Sequence, residues 1–272
     1  MNILDAHIEA TTRAARFVEE RLREPINVGE MAEAACFSLF HFCRVFAAVA
    51  RRSPYDYSMR RKLSEAARAL IESEASATEI AFDFAFNNLE TFSRAFRRFA
   101  GVSPSAWRKS RTLDERRLFP AFDEPYLRHL RDRVSPTPTR LRREETEARG
   151  LATLVADLVE LPAFAREAIH ALGEPPLLIG AVAYVSPQRL ALFLGVEESD
   201  APKRAAFLSE RRLPAGEYAV RRLRDDWRGF RRTARHLWLE RTPADFPPLF
   251  FRAERRADRA CYDIVEASAP LD

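Results

Sequence analysis

Residues 77–107 read ATEIAFDFAFNNLETFSRAFRRFAGVSPSAW. Apolar residues between Ile80 and Ala85 recur at the spacing of a short amphipathic helix. The pair Asn87-Asn88 interrupts this pattern, and asparagine favours turns and helix N-caps. A second set of apolar residues recurs at helical spacing from Phe92 to Phe99, and Gly101 ends it. The stretch therefore predicts two short helices around a tight turn, which is the outline of a helix-turn-helix.

This outline occurs twice in the chain. Residues 28–57 read VGEMAEAACFSLFHFCRVFAAVARRSPYDY, and they superpose on residues 77–107. The later stretch has one extra residue in its turn. Phe42 matches Phe92, and Ser53 matches Ser103, each serine standing before a proline and predicted to cap the next helix. Two copies are too few for a solenoid, which needs about three stacked units. A duplicated DNA-reading unit explains the two copies better.

Basic residues follow each candidate reading helix. Between Ala34 and Lys62 there are six basic residues against one acid, and between Thr91 and Arg111 there are six and no acid. The formal net charge of the chain is only +4, so the distribution is more informative than the total. Charge runs are usually solvated helix faces. Their coincidence with a repeated helix-turn-helix favours contact with DNA phosphates.

Residues 26–109 closely resemble the DNA-binding region of the AraC/XylS family of bacterial transcription regulators. The resemblance keeps one order over these 84 positions, which makes it a specific signal. The residues that carry it are Ala32, Ala35, Phe37-Ser38, Phe42, Arg44, Phe46, Ser53-Pro54, Ile80-Ala81, Phe86-Asn87, Phe92-Ser93-Arg94-Ala95-Phe96, Gly101 and Ser103-Pro104. Cys36, Arg51 and Ala85 stand where the family usually has glycine. Because glycine permits tight turns, we expect these turns to be slightly re-angled and the helices to persist.

The resemblance implies that residues 38–47 and 89–99 enter successive major grooves of double-stranded promoter DNA, where the protein recruits or blocks RNA polymerase. The predicted DNA-binding residues are Phe40, His41, Cys43, Arg44, Leu89, Glu90, Thr91, Arg94, Arg97 and Arg98. An arginine fork reads guanine, a glutamate accepts from cytosine, and a phenylalanine or leucine packs on a thymine methyl. Arg44 and Arg94 could instead clamp phosphates, which would add affinity without sequence discrimination.

Other classes of function find little support in the sequence. No nucleophile elbow, P-loop, metalloprotease motif or dinucleotide fingerprint is present, so we expect no enzyme and no cofactor. Cys36, His41 and Cys43 lie close in sequence, but residues 41 and 43 face different ways on a helix and no fourth ligand is near, so we expect no metal. The three cysteines, the absence of an apolar run near 18 residues and the lack of a leader favour the cytoplasm.

The 272 residues suit two domains better than one. Residues 1–110 form an all-α domain with two helix-turn-helix units, and residues 111–139 form a charged, proline-ended connector. Residues 140–272 form an α+β domain. Its pattern is strand, helix, strand, strand, repeated once, which predicts two βαββ repeats. The predicted elements are a strand from 152 leading into a helix at 162–172, strands at 177–185 and 189–196, a charged loop, a strand at 214–220, a helix at 227–239, and strands at 249–253 and 261–266.

This second half resembles the GyrI-like effector-binding domain that some AraC regulators carry. The resemblance rests on residues 213–220 (LPAGEYAV), 227–230 (WRGF), 237–239 (LWL) and the pair Pro248 and Phe250. It implies a groove for an amphipathic, often cationic, ligand. The family commonly has glutamate at the pocket floor, where Phe251 and Ala253 stand here. Since a buried carboxylate would offset the desolvation of a cation, we expect a neutral or apolar effector.

Several aromatic residues at strand or helix spacing could line that groove, although such residues are more often core. The predicted ligand-binding residues are Tyr184, Tyr218, Phe230, Trp238 and Phe251. Two alternatives stay open for this domain. It could be a protein-interaction module with a collapsed groove, or a hydrolase, since some GyrI-like relatives are hydrolases.

Overall fold

The computed structural model describes residues 3–135, 137–202, 207–240, 247–256 and 262–271. The chain divides into two compact units: Met1–Arg131 with Leu239–Asp245, and Asp132–Trp238 with Phe246–Asp272. Residues 111–131, which the sequence assigns to a connector, thus lie with the first unit. The predicted boundaries at residues 110 and 139 stay predictions.

The first unit is built from short helices. They are α1 (Ile3–Glu20), α2 (Val28–Ala34), α3 (Leu39–Ala50), α4 (Pro54–Glu72), α5 (Ala77–Asp83), α6 (Leu89–Ala100), α7 (Pro104–Lys109) and α8 (Glu124–Arg133), the last of which extends beyond residue 131. The pairs α2–α3 and α5–α6 occupy the two stretches predicted as helix-turn-helix units. The helical character of the N-terminal half is confirmed.

Local side-chain bonds explain where these helices begin. Asn27 and Ser76 form capping boxes with Glu30 and Glu79 at the starts of α2 and α5. Ser53 Oγ accepts a hydrogen bond from the backbone nitrogen of Asp56, and Ser103 Oγ accepts one from Ala106. Both serines precede a proline in the first turn, so their predicted capping role is confirmed.

Three tight turns contain left-handed residues other than glycine. Cys36, Arg51 and Ala85 have φ angles of 58°, 59° and 59°. Gly101, which follows α6 as Arg51 follows α3, has a φ of 77°. An L-residue with a side chain costs about 1–2 kcal/mol in this conformation, whereas glycine adopts it freely. The turns therefore keep the conformation suited to glycine and carry backbone strain.

Aromatic side chains connect the helices of the first unit. The ring of Phe46 lies 5.4 Å from Phe42 and 5.6 Å from Tyr57, and Tyr57 lies 4.8 Å from Phe122. In the second copy, Phe96 contacts Phe92 and Trp107, in α7. The Trp107 indole donates to the carbonyl of Ala67 on α4 at 2.9 Å. The helix α4 is thus packed against both copies.

The second unit is organised on one antiparallel sheet of eight strands, in the order β1-β6-β8-β7-β3-β4-β2-β5. The strands are β1 (Thr139–Arg143), β2 (Thr146–Val155), β3 (Leu177–Ser186), β4 (Arg189–Glu197), β5 (Ser209–Leu213), β6 (Gly216–Asp225), β7 (Leu249–Arg255) and β8 (Tyr262–Pro270). Two helices, α9 (Leu161–Ala171) and α10 (Phe230–Glu240), lie between β2 and β3 and between β6 and β7 in the chain.

Several predicted boundaries in this unit were wrong. The strand predicted from residue 152 is β2, which begins at Thr146 and ends at Val155, before the predicted lead into α9. The loop predicted before residue 214 contains β5, an edge strand whose mostly exposed residues lack the alternation of a half-buried strand. Residues 227–229 form a turn before α10. Cys261 lies outside the described residues, and β8 begins at Tyr262. Each half thus reads strand, strand, helix, strand, strand, and the repeat interpretation stays a prediction.

The register divides the aromatic residues between the two faces of the sheet. Phe250 pairs with Ala181 and Phe251 with Gly180, so their side chains point to opposite faces. Phe250 joins a cluster with Ala148, Ala181, Phe193, Tyr218 and Val220. The ring of Phe251 lies 4.8 Å from Phe230 of α10. Phe251 therefore belongs to the core beneath α10.

In the described part of the chain, no single helix is long and apolar enough to cross a bilayer. Helices α2 and α3 meet such a requirement only when they are combined across the 83° bend between them.

Candidate DNA interface and sheet cavity

Helix α3 buries one side and exposes the other. Phe42 and Phe46 are 1% and 0% exposed, whereas Phe40 is 74% exposed. Arg44 is exposed as well, and its guanidinium carbon lies 5.7 Å from the centre of the Phe40 ring. Cys43 is half-buried. The structure therefore brings Phe40 and Arg44 together on an outward surface, as their spacing predicts.

Helix α6 has the same arrangement with different chemistry. Phe92 and Phe96 are fully buried, and the side chains of Glu90 and Arg94 are 85% and 76% exposed. Arg94 Nη2 lies 3.4 Å from Glu90 Oε1, one helical turn away. The other predicted residues of this helix, Leu89, Thr91, Arg97 and Arg98, are also exposed. All six side chains are thus accessible to a ligand on the outer side of α6.

The start of α6 is held by Asn88. Its side-chain oxygen accepts a hydrogen bond from the backbone nitrogen of Thr91 at 2.8 Å. This bond satisfies one of the free N–H groups at the helix start and leaves the Thr91 side chain exposed. The capped start of α6 fixes where the backbone places Glu90 and Arg94 on the surface.

His41 has packing partners that the sequence did not reveal. Its ring lies 4.6 Å from Phe37 and 5.8 Å from His7 on α1, both with edge geometry. Arg13 on α1 donates to the carbonyl of Ala35 at 3.1 Å. Helix α1 therefore braces the turn of the first copy, and His41 takes part in that contact while remaining exposed. The described residues contain no cluster of three His, Cys, Asp or Glu side chains that could hold a metal ion.

A buried polar network holds α4, the helix between the two helix-turn-helix units, in place. The hydroxyl of Tyr57 donates to Glu19 Oε1 at 3.2 Å and accepts from the backbone nitrogen of Phe122. Ser64 Oγ accepts from the backbone nitrogen of Phe119 at 2.8 Å. Burial, and the neighbouring Glu19 carboxylate, raise the pKa of Tyr57 far above its usual range. Tyr57 therefore stays a neutral donor and ties α1, α4 and residues 119–122 together.

In the second unit, a cavity of about 40 Å³ lies on the sheet face that carries Phe250. Strand register places Arg143, Tyr218, Arg252 and Glu266 on the same face, and all of them line the cavity. Arg143 pairs with Glu266. Burial, with the neighbouring Arg252, lowers the pKa of the Arg143 guanidinium, whose Nε is buried and has no hydrogen-bond partner among the described residues. The wall of this cavity is therefore charged.

The five predicted ligand-binding residues do not all lie together. Tyr218 and Phe251 line the cavity, and the Tyr218 hydroxyl donates to the carbonyl of Pro214 at 2.7 Å. Phe230 and Phe251 are 0% and 2% exposed and pack on each other beneath α10. Trp238 is 3% exposed and donates to the carbonyl of Pro247, and Tyr184 is half-buried. Ligand contact by these five residues stays a prediction.

The neutral or apolar effector expected for this domain stays a prediction, although charged residues line this cavity. Ala253 pairs with Leu178 on the face opposite to Phe250, and Phe251 pairs with Gly180 on that face but is still among the residues that line the cavity. Arg143 was not predicted from the sequence, because it lies 123 positions from its partner Glu266. Phe250 and Arg252 are two positions apart in β7, so the sequence already places them on one face. Only the strand register shows which distant residues share that face.

Comparisons with known proteins bear on the N-terminal half. A family model described as a helix-turn-helix domain matches residues 31–110, which include α3 and α6. The chain is 32% identical over 92 residues to the regulatory protein SoxS of Escherichia coli strain K12, covering 34% of this chain and 86% of SoxS. It is 30% identical over 100 residues to YbfP of Bacillus subtilis strain 168, named as an uncharacterized HTH-type transcriptional regulator, covering 37% of this chain. The chain spans about a third (34%) of the length of YbfP.

One solved structure is similar over a larger part of the chain. It is the structure of SAV2435 bound to tetraphenylphosphonium. The similarity covers 50% of this chain and 94% of the SAV2435 chain, at 12% identity and a TM-score of 0.37. A likeness of that size assigns neither a ligand nor a function to the sheet unit. The match to SoxS over most of its length and the helix-turn-helix match over residues 31–110 show that this chain belongs to the AraC/XylS family of transcription regulators.

Proposed function

We propose that the protein is a sequence-specific transcription regulator that places α3 and α6 in successive major grooves on one face of a promoter. The observation that carries this proposal is the shared layout of the two helices. In each, two phenylalanines face the core while an arginine, Arg44 or Arg94, stands exposed on the outer side. An exposed arginine on a helix that enters the major groove can read guanine O6 and N7.

The remaining predicted residues have roles that follow from their chemistry. Arg97 and Arg98, near the end of α6, supply charge for backbone phosphates. His41 supplies a further hydrogen-bond donor at the edge of α3. Bound in this way, the protein would recruit RNA polymerase to the promoter or block its access. The relatives are named as regulators, which supports a role in regulation rather than catalysis.

The proposal is tested by selecting bound duplexes from a randomised pool and footprinting the enriched site. We expect an enriched sequence with two protected segments about one helical turn, or 10 base pairs, apart. Competition with random duplex at a fixed salt concentration then measures the specificity ratio. Equal affinity for the enriched and random duplexes would overturn the proposal.

For the sheet unit, the GyrI-like resemblance supports the sensing of a small effector. The size of the cavity instead favours a role as a protein-interaction module. Drug-sized ligands occupy pockets of roughly 300–1,000 Å³. The cavity beside Tyr218 is about 40 Å³. A cavity this small favours a protein-interaction module over an effector site that is open at rest.

Thermal-shift screening of the full chain separates these two roles. A library that contains apolar, cationic and anionic compounds is needed, because the cavity wall carries both charges. A saturable stabilisation that Tyr218→Ala removes would support effector sensing, since Tyr218 is one of the two predicted ligand residues that line the cavity. An absence of hits across the three classes would support the interaction module.

A further inference from the structure

Residues 114–122, here called the strap, contact both helix-turn-helix copies. The strap follows α7 and lies beyond residue 110, where the match to the helix-turn-helix family model ends. It contains one short helical turn, at Glu115–Arg117. Its two phenylalanines, Phe119 and Phe122, are buried. Because burial of two aromatic side chains is strongly favourable, the strap is part of the core of the helical unit rather than a free linker.

The end of the strap is anchored on the first copy. The guanidinium carbon of Arg52, which follows α3, lies 4.5 Å from the centre of the Phe119 ring. The ring of Phe122 lies 4.8 Å from Tyr57, and Tyr57 in turn contacts Phe46 of α3. Side chains of α4 bind both the backbone nitrogen and the carbonyl of Phe119. The end of the strap therefore belongs to the same core as the buried side of α3.

The start of the strap reaches the second copy through Arg117. Its Nη2 donates to the carbonyl oxygen of Ala100, the last residue of α6, at 3.4 Å. Its guanidinium carbon lies 5.2 Å from the centre of the Trp107 ring in α7. The last carbonyls of a helix have no partner within the helix and carry partial negative charge, so a cation is favourable there. Arg117 thus holds the end of α6, two positions before Phe119 contacts the first copy.

We infer that Arg117 is a positioning residue that, through the strap, fixes the angle between α3 and α6. This inference rests on the proposed function, in which both helices bind one duplex. Helix α4 already joins the copies, since Trp107 donates to the carbonyl of Ala67. One connection leaves a bend between the copies possible, and a second connection beside it removes that freedom. Two linked sites bind a two-part target tightly only when the link holds them at the geometry of the target.

The test compares a duplex that carries the complete enriched site with duplexes that carry one half-site each. Fluorescence anisotropy measures all affinities at one low salt concentration, because low salt strengthens the weak binding to half-sites. Arg117→Ala should weaken binding to the complete site by about 5-fold, the lower end of typical coupling between two sites. Its affinity for each half-site should stay unchanged, because Arg117 sets only how the two helices are related.

A change in spacing gives a readout that a simple loss of stability would not produce. Insertion of two base pairs between the half-sites turns one of them by about 70°, since a turn of B-DNA takes about 10–10.5 base pairs. The wild-type protein should lose most of its preference for the complete site. Arg117→Ala should lose a smaller factor, because its copies can follow the rotated half-site.

Arg128→Ala is the matched control. Arg128 lies on α8 and donates to Asp5 of α1 and to Glu124 of its own helix. The variant therefore removes the same charge from a different contact, and it should match the wild type on every duplex. Arg117→Lys keeps a cation beside the carbonyl of Ala100 and should recover part of the affinity for the complete site.

Two results would overturn the inference. One is a loss in Arg117→Ala that is the same for complete and half-site duplexes, since a phosphate contact or impaired folding gives that pattern. The other is an equal response of the wild type and Arg117→Ala to the inserted base pairs. Either result still leaves an enriched site, whereas failure of the proposed function leaves no enriched site.

Discussion

Arg61 on α4 donates two hydrogen bonds to the carboxylate of Glu19 on α1, each 2.7 Å long. Arg61 also donates to Glu65 at 2.9 Å and to the carbonyl of Phe119. Its side chain is only 8% exposed, so its charge depends on these partners. Removing one partner of a buried pair leaves a charge that is poorly compensated. The ion pair of Arg61 and Glu19 therefore holds α4, and with it both helix-turn-helix units, against α1.

Glu19→Ala should lower the free energy of unfolding by about 2–3 kcal/mol, because Arg61 loses two charged hydrogen bonds and keeps two others. Urea unfolding of the full chain, followed by circular dichroism, measures the change. Glu9→Ala is the control: Glu9 pairs with Arg13 at 2.9 Å with both side chains well exposed. That change should cost less than about 0.5 kcal/mol. Similar losses in the two variants would contradict the role given to Glu19.

Ala85→Gly should raise the free energy of unfolding by about 0.5–1 kcal/mol, the net of relieved left-handed strain and added chain entropy. The φ of Ala85 is 59°, in the left-handed region. Gly101→Ala, at a φ of 77°, should have the opposite effect, of about 1 kcal/mol. Denaturant midpoints of the two variants check the pair. Destabilisation by Ala85→Gly would show that the turn carries no strain.

Gly180→Ala should destabilise the sheet unit by about 2–3 kcal/mol, because the new methyl would overlap the Phe251 ring. A Cβ at residue 180 would lie 2.1 Å from Phe251 Cζ. Adding Phe251→Leu should recover at least about 1 kcal/mol of that loss, as a double-mutant cycle measures.

Gly216→Ala is the control for that cycle. A Cβ at residue 216 would meet nothing closer than 3.8 Å, at Tyr218 Cε2, so the cost should stay within about 0.5 kcal/mol. Additive losses for Gly180→Ala and Phe251→Leu would mean that the ring does not fill the space above Gly180.

Arg44→Ala and Arg94→Ala should each cost about 1–3 kcal/mol on the cognate site and relax base preference locally. Arg97→Ala should weaken binding equally on cognate and random duplexes and reduce the salt slope by about 0.9, because it removes one phosphate contact. Anisotropy titrations at several salt concentrations measure both effects. Equal losses on cognate and random duplexes for Arg44 and Arg94 would make them phosphate clamps.

Asp225→Asn should make the sheet unit less sensitive to pH. Asp225 is 2% exposed and accepts a hydrogen bond from Thr233 Oγ1 at 2.6 Å. Burial raises the pKa of its carboxyl group above the ordinary value of 3.8. The folded state then binds the proton more tightly than the unfolded chain does. The contribution of this carboxyl group to the stability of the folded state is therefore complete below pH 3.8, and it is lost as the pH rises through the raised pKa.

The stability of Asp225→Asn relative to wild type should therefore increase as pH rises above about 4 and then level off. Urea midpoints between pH 4 and pH 7 follow this difference. Thr233→Val is a useful comparison, since it removes the hydrogen bond from Thr233 and keeps the carboxyl group. A difference between Asp225→Asn and wild type that does not vary with pH would contradict the shift.

The helical unit was largely predictable because its signals are local. Asn88 and Ser103 lie within three residues of the groups they cap, and Gly101 ends α6 where the pattern ends. The outward position of Arg44 and Arg94 follows from the helical period once the neighbouring phenylalanines are assigned to the core. Phe37 and His41 show the limit of such reasoning, because their contact with His7 depends on how α1 packs.

The sheet was predictable only in part. The sequence predicted strands whose buried residues alternate. The exposed edge strand β5 pairs with β2, 59 to 67 positions earlier, and has no pattern of its own. Alternation along β7 shows that Phe250 and Phe251 face opposite ways, but it does not say which of them lies beneath a helix.

By itself, the sequence determined the duplicated helix-turn-helix, its caps and the outer faces of its reading helices, because these depend on interactions between residues a few positions apart. Only the tertiary structure decided that Phe251 fills the core against Phe230 and Gly180. It alone also brought Arg143 to Glu266 at a charged cavity. The physical reason is strand register: a shift of one residue moves every side chain to the other face, and register is set by contacts between distant parts of the chain.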